Sequence, residues 1–169
     1  MDINSFQRVG SVSNAHVGRD FESIAREYFR QIGISLESDF AVLLGVAATR
    51  KDRKFDLGAS EPPILVECKS HRWTSGGNIP SAKMTVWNEA MYYFHIAPPE
   101  FRKVLFVLRD VSQKRQESLA TYYIRNYGHL VPPDVEILEY DEPSESVLAV
   151  LTTASTGSGF SAGAPMPAR

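Results

Sequence analysis

The stretch Ile64-Leu65-Val66-Glu67-Cys68-Lys69 begins as a buried strand and ends in two charges. Aliphatic residues bounded by Pro62-Pro63 read as a strand, and side chains along a strand alternate between its faces. Glu67 and Lys69 therefore point together, and Val66 and Cys68 point the other way, where the core is expected. A carboxylate and an ammonium on such a strand are costly unless they are paired or bind a metal. Any fold of this chain has to bring partners to them. Asp56 lies upstream in Lys54-Phe55-Asp56-Leu57, with ten residues between it and Glu67.

The surrounding pattern supplies a frame. From Gly18 to about Ile32 the residues Phe21, Ile24, Ala25, Tyr28, Phe29 and Ile32 recur at helical spacing, and Gly33 offers a stop. Three strands are expected next, over Phe40–Val46, Lys54–Leu57 and Ile64–Lys69. The basic run Arg50-Lys51-Asp52-Arg53-Lys54 reads as the turn between the first two. Short connections favour an antiparallel meander. A second helix is expected from Pro80 or Ser81 to about His95, with Met84, Trp87, Met91 and Phe94 on one face. Lys103–Leu108 reads as a central strand and residues 112–126 as a third helix with Leu119, Tyr122, Tyr123 and Leu130 as apolar contacts. Asp134–Tyr140 alternates like an edge strand, and Val147–Leu151 adds a short one. The pattern predicts an α/β domain over 18–151, a mixed sheet flanked by helices, with an arm over 1–17. The Ser/Gly/Ala/Pro-rich stretch 152–169 reads as a flexible tail.

The net charge of −2 conceals an uneven distribution. Residues 1–133 hold 17 Lys/Arg against 14 Asp/Glu, whereas 134–169 hold one basic and six acidic residues. A basic working surface is thus compatible with a nucleic-acid partner without requiring one. The lone cysteine, Cys68, excludes a disulfide framework. No membrane span and no secretory leader are visible, so a cytoplasmic location without membrane attachment is expected.

Asp56, Glu67 and Lys69 are the residue types that phosphodiester hydrolysis needs. Mg²⁺ is hard, takes oxygen ligands and is held by one or two carboxylates together with substrate phosphate. Asp56 and Glu67 are the candidate ligands, with the carbonyl of Cys68 a third. Lys69 can orient water or offset phosphate charge. The order helix, three-strand meander, helix, strand, with Asp56 on the second strand and Glu67-Cys68-Lys69 on the third, resembles the PD-(D/E)xK nuclease superfamily over roughly residues 18–110. Gly18-Arg19-Asp20-Phe21-Glu22 fits the Gly-x-x-x-Glu pattern that many members carry on the first helix. Phe55 stands where the family's name has proline. The resemblance implies a three-layer restriction endonuclease-like core, with Asp56, Glu67, Lys69 and Glu22 catalytic and Mg²⁺ as cofactor, Mn²⁺ substituting. It also implies cleavage of nucleic acid, DNA rather than RNA, by an endonuclease of restriction, repair or recombination type, with a homodimer one way to cut two strands. The plainer alternative makes Glu67 and Lys69 a solvated pair, Asp56 a turn residue and Glu22 ordinary helix surface.

Further residues carry weaker expectations. His71, Arg72 and Trp73 follow the Glu-x-Lys strand and are candidate contacts to nucleic acid, with Trp73 stacking on a base; an anchored surface turn is the alternative. Residues 75–78 read as a connector. Lys83, Asn88 and Tyr92 lie off the apolar face of the second helix. Asn88 and Tyr92 loosely resemble the polar residue and tyrosine that exonuclease-like members place there. Cys68 lacks the surroundings of a nucleophile, and the four histidines lack zinc-ligand spacing. The alternative function is a domain of the same fold that binds nucleic acid or protein without catalysis. A further alternative is a regulatory protein acting through its acidic C-terminal segment.

Overall fold

The computed structural model describes residues 14–153. Helix α1 (Asn14–Gln31) is followed by strands β1 (Glu37–Leu44), β2 (Lys51–Ser60) and β3 (Pro63–Lys69), then helix α2 (Ser81–Ile96) and strand β4 (Arg102–Leu108). A small hairpin, β5 (Val111–Ser112) and β6 (Glu117–Ser118), leads into helix α3 (Leu119–Tyr127) and a 3₁₀ turn (Gly128–Leu130). Strands β7 (Val135–Asp141) and β8 (Ser146–Leu151) follow. Six strands form one mixed sheet in the order β1-β2-β3-β4-β7-β8. The first three are an antiparallel meander, β3, β4 and β7 run parallel, and β8 returns antiparallel.

Alternation along β4 shows how the layers stack. Val104 and Phe106 pack with Phe21, Ala25 and Phe29 of α1, while Leu105 and Val107 pack with Met84, Trp87 and Phe94 of α2 and Tyr123 of α3. Both faces of the sheet are covered, as parallel strands require. The face carrying Glu67 and Lys69 is therefore as much a core face as the one carrying Val66 and Cys68, which corrects the expectation that only the latter looked inward.

Helix α1 ends at Gly33, whose φ of +84° suits glycine. The Ile34 N–H bonds the Phe29 carbonyl at 2.9 Å and the Gly33 N–H bonds that of Arg30 at 3.1 Å, the pairing of a Schellman cap. The helix starts at Asn14, so residues 14–17 belong to it rather than to an arm; 1–13 and the tail residues 154–169 lie outside the described residues. Among the described residues no helix is long and apolar enough to cross a membrane.

Three element assignments change. The basic run is not a turn: Lys51–Lys54 pair with Leu44–Ala41 inside the β1–β2 ladder. The turn falls over 45–50, where a Cβ on Gly45 would sit 2.2 Å from the Thr49 carbonyl oxygen. The third helix is short because 111–118 lacks an apolar stripe and folds as the hairpin, with Gln116 at φ 56°. Ser118 then caps α3, its hydroxyl accepting from the Thr121 N–H at 3.1 Å. Strand β7 is interior, with Ile137 and Leu138 buried on opposite faces, and β8 forms the edge; Leu130, expected as a contact, is 44% exposed.

Candidate functional site

The β2–β3 hairpin places four charged side chains at one point. Its strands pair from Leu57–Val66 to Ser60–Pro63, and Asp56 stands just beyond that ladder. There its Oδ2 accepts from the Cys68 backbone N–H at 2.7 Å, so the carboxylate does the work of a ladder carbonyl and is fixed in place. The ammonium of Lys69 lies 2.7 Å from Glu67 Oε2, 3.3 Å from Asp56 Oδ2 and 3.1 Å from the Cys68 carbonyl oxygen. The three oxygens expected to hold a metal thus meet at a single cation, the chain's own lysine.

The electrostatics follow from burial. The Glu67 side chain is 2% exposed. Burial raises its pKa, with Asp56 adding to the rise, against the lowering effect of Lys69 and Arg53. For Lys69 burial works against the ammonium, but Glu67 and Asp56 outweigh it and raise the pKa, so it is a cation at neutral pH. The other oxygen of Glu67, Oε1, accepts from Arg53 at 2.8 Å. The Arg53 guanidinium lies 4.3 Å from the centre of the Tyr93 ring on α2, a cation–π contact that holds it against the helix.

Two acids stand on the α1 side. The β1–β2 register is the same on both sides of Asp39, Ser38 with Leu57 and Phe40 with Phe55, and the ladder skips one step between them, where Asp39 faces Asp56. Asp39 has a φ of 53°, a left-handed conformation that aspartate tolerates better than most residues. Glu22 on α1 feels both: burial raises its pKa, then Asp56, then Asp39, while Lys69 and Arg26 oppose. Glu22 thus belongs to the electrostatic surroundings of Asp56 rather than to plain helix surface. The thiol of Cys68 packs toward α1, and burial pushes its pKa well above the usual thiol value.

The flanking residues divide. His71 is half-buried, and its Nδ1 accepts from the buried Trp87 indole N–H at 2.9 Å. Burial, then Lys83 and Lys69, lower its pKa to about 4. Arg72 is exposed and engages Glu142 at 2.6 Å, with Asp110 at 3.8 Å. Trp73 does not present its ring to a ligand. It is 9% exposed, its indole N–H donates to the Asp110 carbonyl at 3.0 Å, and its ring is held between Tyr122 and the Arg115 guanidinium. Base stacking by Trp73 is ruled out by this packing. Lys83 is exposed on the first turn of α2. Asn88 Oδ1 accepts from the Tyr123 hydroxyl at 2.9 Å, which ties α2 to α3 and turns this amide inward. Tyr92 is 53% exposed, and it is the neighbouring Tyr93 that reaches the charged cluster through Arg53.

Arg53, Tyr93 and Asp39 are the residues that sequence reasoning missed. Arg53 is two positions before Phe55, so continuing the strand backwards would have put it on the face of Glu67. Asp39 had no such signal, because its role depends on the pairing register. Among the described residues no group of three or more His, Cys, Asp or Glu side chains is arranged to hold a metal ion. The oxygen set at Lys69 is of a different kind, two carboxylates and a main-chain carbonyl. Comparison with protein-family models, curated proteins and solved structures finds no match to this chain.

Proposed function

We propose that this chain is a metal-dependent nuclease that hydrolyses phosphodiester bonds in DNA, on a restriction endonuclease-like variant of the α/β sandwich. The observation that carries the reading is the meeting of Asp56 Oδ2, Glu67 Oε2 and the Cys68 carbonyl oxygen within 3.3 Å of one cation, Lys69 Nζ. Hard oxygen donors gathered around positive charge suit Mg²⁺, which prefers one or two carboxylates and completes its shell with water and phosphate. The element order around them, helix, meander, helix, strand, supports the fold reading.

In this reading Asp56, Glu67 and the Cys68 carbonyl hold Mg²⁺ or Mn²⁺. When bound, the ion supplies positive charge against the build-up on phosphate and lowers the pKa of water. Hydrolysis joins a water oxygen to phosphorus and breaks the P–O ester bond, and the leaving oxygen takes a proton. Lys69 is the cation that orients the water or donates to a phosphate oxygen. Arg53 keeps Glu67 in place through Oε1, leaving Oε2 for the reacting centre. Glu22 and Asp39 add negative charge on the α1 side of Asp56.

The test is cleavage of supercoiled, linear and branched DNA with Mg²⁺ or Mn²⁺ by the wild type, Lys69→Ala and Glu67→Ala. Metal-dependent cutting that both substitutions abolish is the expected result. No cutting, together with no Mn²⁺ binding by calorimetry, overturns it. A second reading, a non-catalytic nucleic-acid-binding domain, is favoured by the full pairing of Glu67, both of whose oxygens already face Lys69 and Arg53. DNA binding without metal binding selects it.

A further inference from the structure

Beyond the charged hairpin, the His71–Trp87 pair fixes a proton. An indole N–H can only donate, so the 2.9 Å bond from Trp87 Nε1 makes His71 Nδ1 the acceptor. A neutral imidazole carries one proton, which therefore sits on Nε2. Trp87 is fully buried and nearly parallel to the imidazole, with 22° between the rings, so the imidazole is held in orientation as well as tautomer. Nε2 itself is not enclosed: His71 is half-buried, and Nε2 has no hydrogen-bond partner among the described residues.

We propose that His71 donates a hydrogen bond from Nε2 to a non-bridging phosphate oxygen of the bound DNA strand. The proposal rests on the nucleic-acid reading of the same centre and adds a residue that positions the strand. Lys69 is two residues away and Lys83 opens α2; both act on the imidazole as positive charges. The Lys69 ammonium is spent on Glu67, Asp56 and the Cys68 carbonyl, so the exposed Lys83 ammonium and the imidazole N–H are the donors left for a ligand. A phosphate, with only acceptor oxygens and a negative charge, complements that set. A base edge, with donors and acceptors mixed, does not. The depressed basicity of the ring keeps the donor uncharged through the neutral range.

An uncharged donor has a signature that a lysine lacks. Each phosphate neutralised by a cation releases counterions, so losing one cation flattens the slope of log K against log salt by about 0.9. Losing a neutral donor weakens binding without changing the slope. The experiment measures affinity for a short DNA duplex at several salt concentrations in EDTA, where no cutting occurs, for wild type, His71→Ala, His71→Gln and Lys83→Ala. His71→Ala is expected to bind about five-fold more weakly at unchanged slope. His71→Gln, which keeps a neutral N–H donor, should stay within about two-fold of wild type. Lys83→Ala should flatten the slope by about 0.9. In ¹⁵N spectra of the wild type, His71 should show a protonated Nε2 and a bare Nδ1, and DNA should move the Nε2 resonance.

An Nε2 resonance unmoved at saturating DNA overturns the proposal, as does wild-type affinity in folded His71→Ala. A flattened slope in that variant, or no DNA binding by the wild type, overturns it too. Failure of the nuclease reading is separate. Absence of metal-dependent cutting with these binding results intact removes hydrolysis and leaves the phosphate contact.

Discussion

Phe55 and Leu57 are two residues apart on β2 and pack on opposite faces of the sheet. A regular strand would put them on one face. The alternation breaks at Asp56, opposite Asp39 and its positive φ. The break sends Arg53 and Phe55 toward α2 and Leu57 and Ala59 toward α1. Asp56 is left at the point of change, free to accept from the Cys68 N–H.

Gly58 is part of that corner. A Cβ on it would fall 2.6 Å from the ring of Phe40 across the ladder, too close for either to remain. Gly58→Ala should therefore destabilise the fold by about 1–3 kcal/mol in urea unfolding, the usual cost of overpacking. Adding Phe40→Ala should recover part of that loss. Additive losses in the double variant would show that the two residues do not compete for space.

Arg53→Met removes the partner of a carboxylate oxygen inside the fold. With Arg53 partly exposed, a loss of about 2–3 kcal/mol at pH 7 is expected. The sign of the pH dependence follows from Glu67, whose pKa is raised by burial above its unfolded value. Burial makes the charged form harder to hold in the fold than in the unfolded chain, so the stability Glu67 contributes is full below its unfolded value and declines as pH rises through the folded value. The Arg53→Met deficit should shrink as pH falls toward 4.5 and largely disappear in Arg53→Met/Glu67→Gln.

Lys69→Met should separate metal binding from cleavage. The ammonium occupies the meeting point of three oxygens, and its removal leaves them to a divalent ion. Calorimetry should show Mn²⁺ binding several-fold tighter than in wild type, while cleavage drops at least about 100-fold. Weaker Mn²⁺ binding in this variant would mean that the three oxygens are not the ligand set.

His71 makes stability depend on mild acid. Its pKa falls from the ordinary 6.5 to about 4, chiefly by burial. Between these values the unfolded chain takes up the proton and the folded chain does not. Its contribution is thus full above 6.5, declines as pH falls, and is exhausted below about 4. After allowance for screening at a half-buried ring, the change is on the order of 1–2 kcal/mol. His71→Gln should lack this component of the pH–stability curve measured by urea unfolding.

The pairing of Asp56 with Glu67 and Lys69 was legible because it rests on alternation and on the cost of buried charge, both local. The order of helices and strands was legible from apolar period. What the sequence hid depends on register and on distant packing. Trp73 looked available because it follows a polar strand end, yet Tyr122 and Arg115 from beyond β4 enclose it. Tyr92 and Tyr93 are indistinguishable by helical period alone, and only the position of Arg53 chooses between them. Residues 112–118 were polar enough for a helix surface, and their lack of an apolar stripe was the overlooked sign of a hairpin.

Asp56, Glu67, Lys69 and Arg53 all come from one hairpin of neighbouring strands. The flanking residues proposed to meet DNA come from elsewhere, the connector after β3 and the start of α2. In the proposed nuclease, insertions or exchanges in those surface segments would change what is gripped without disturbing the arrangement of oxygens and cations. In engineering terms the proposed chemistry would be a cassette, and the choice of target an interchangeable fitting around it.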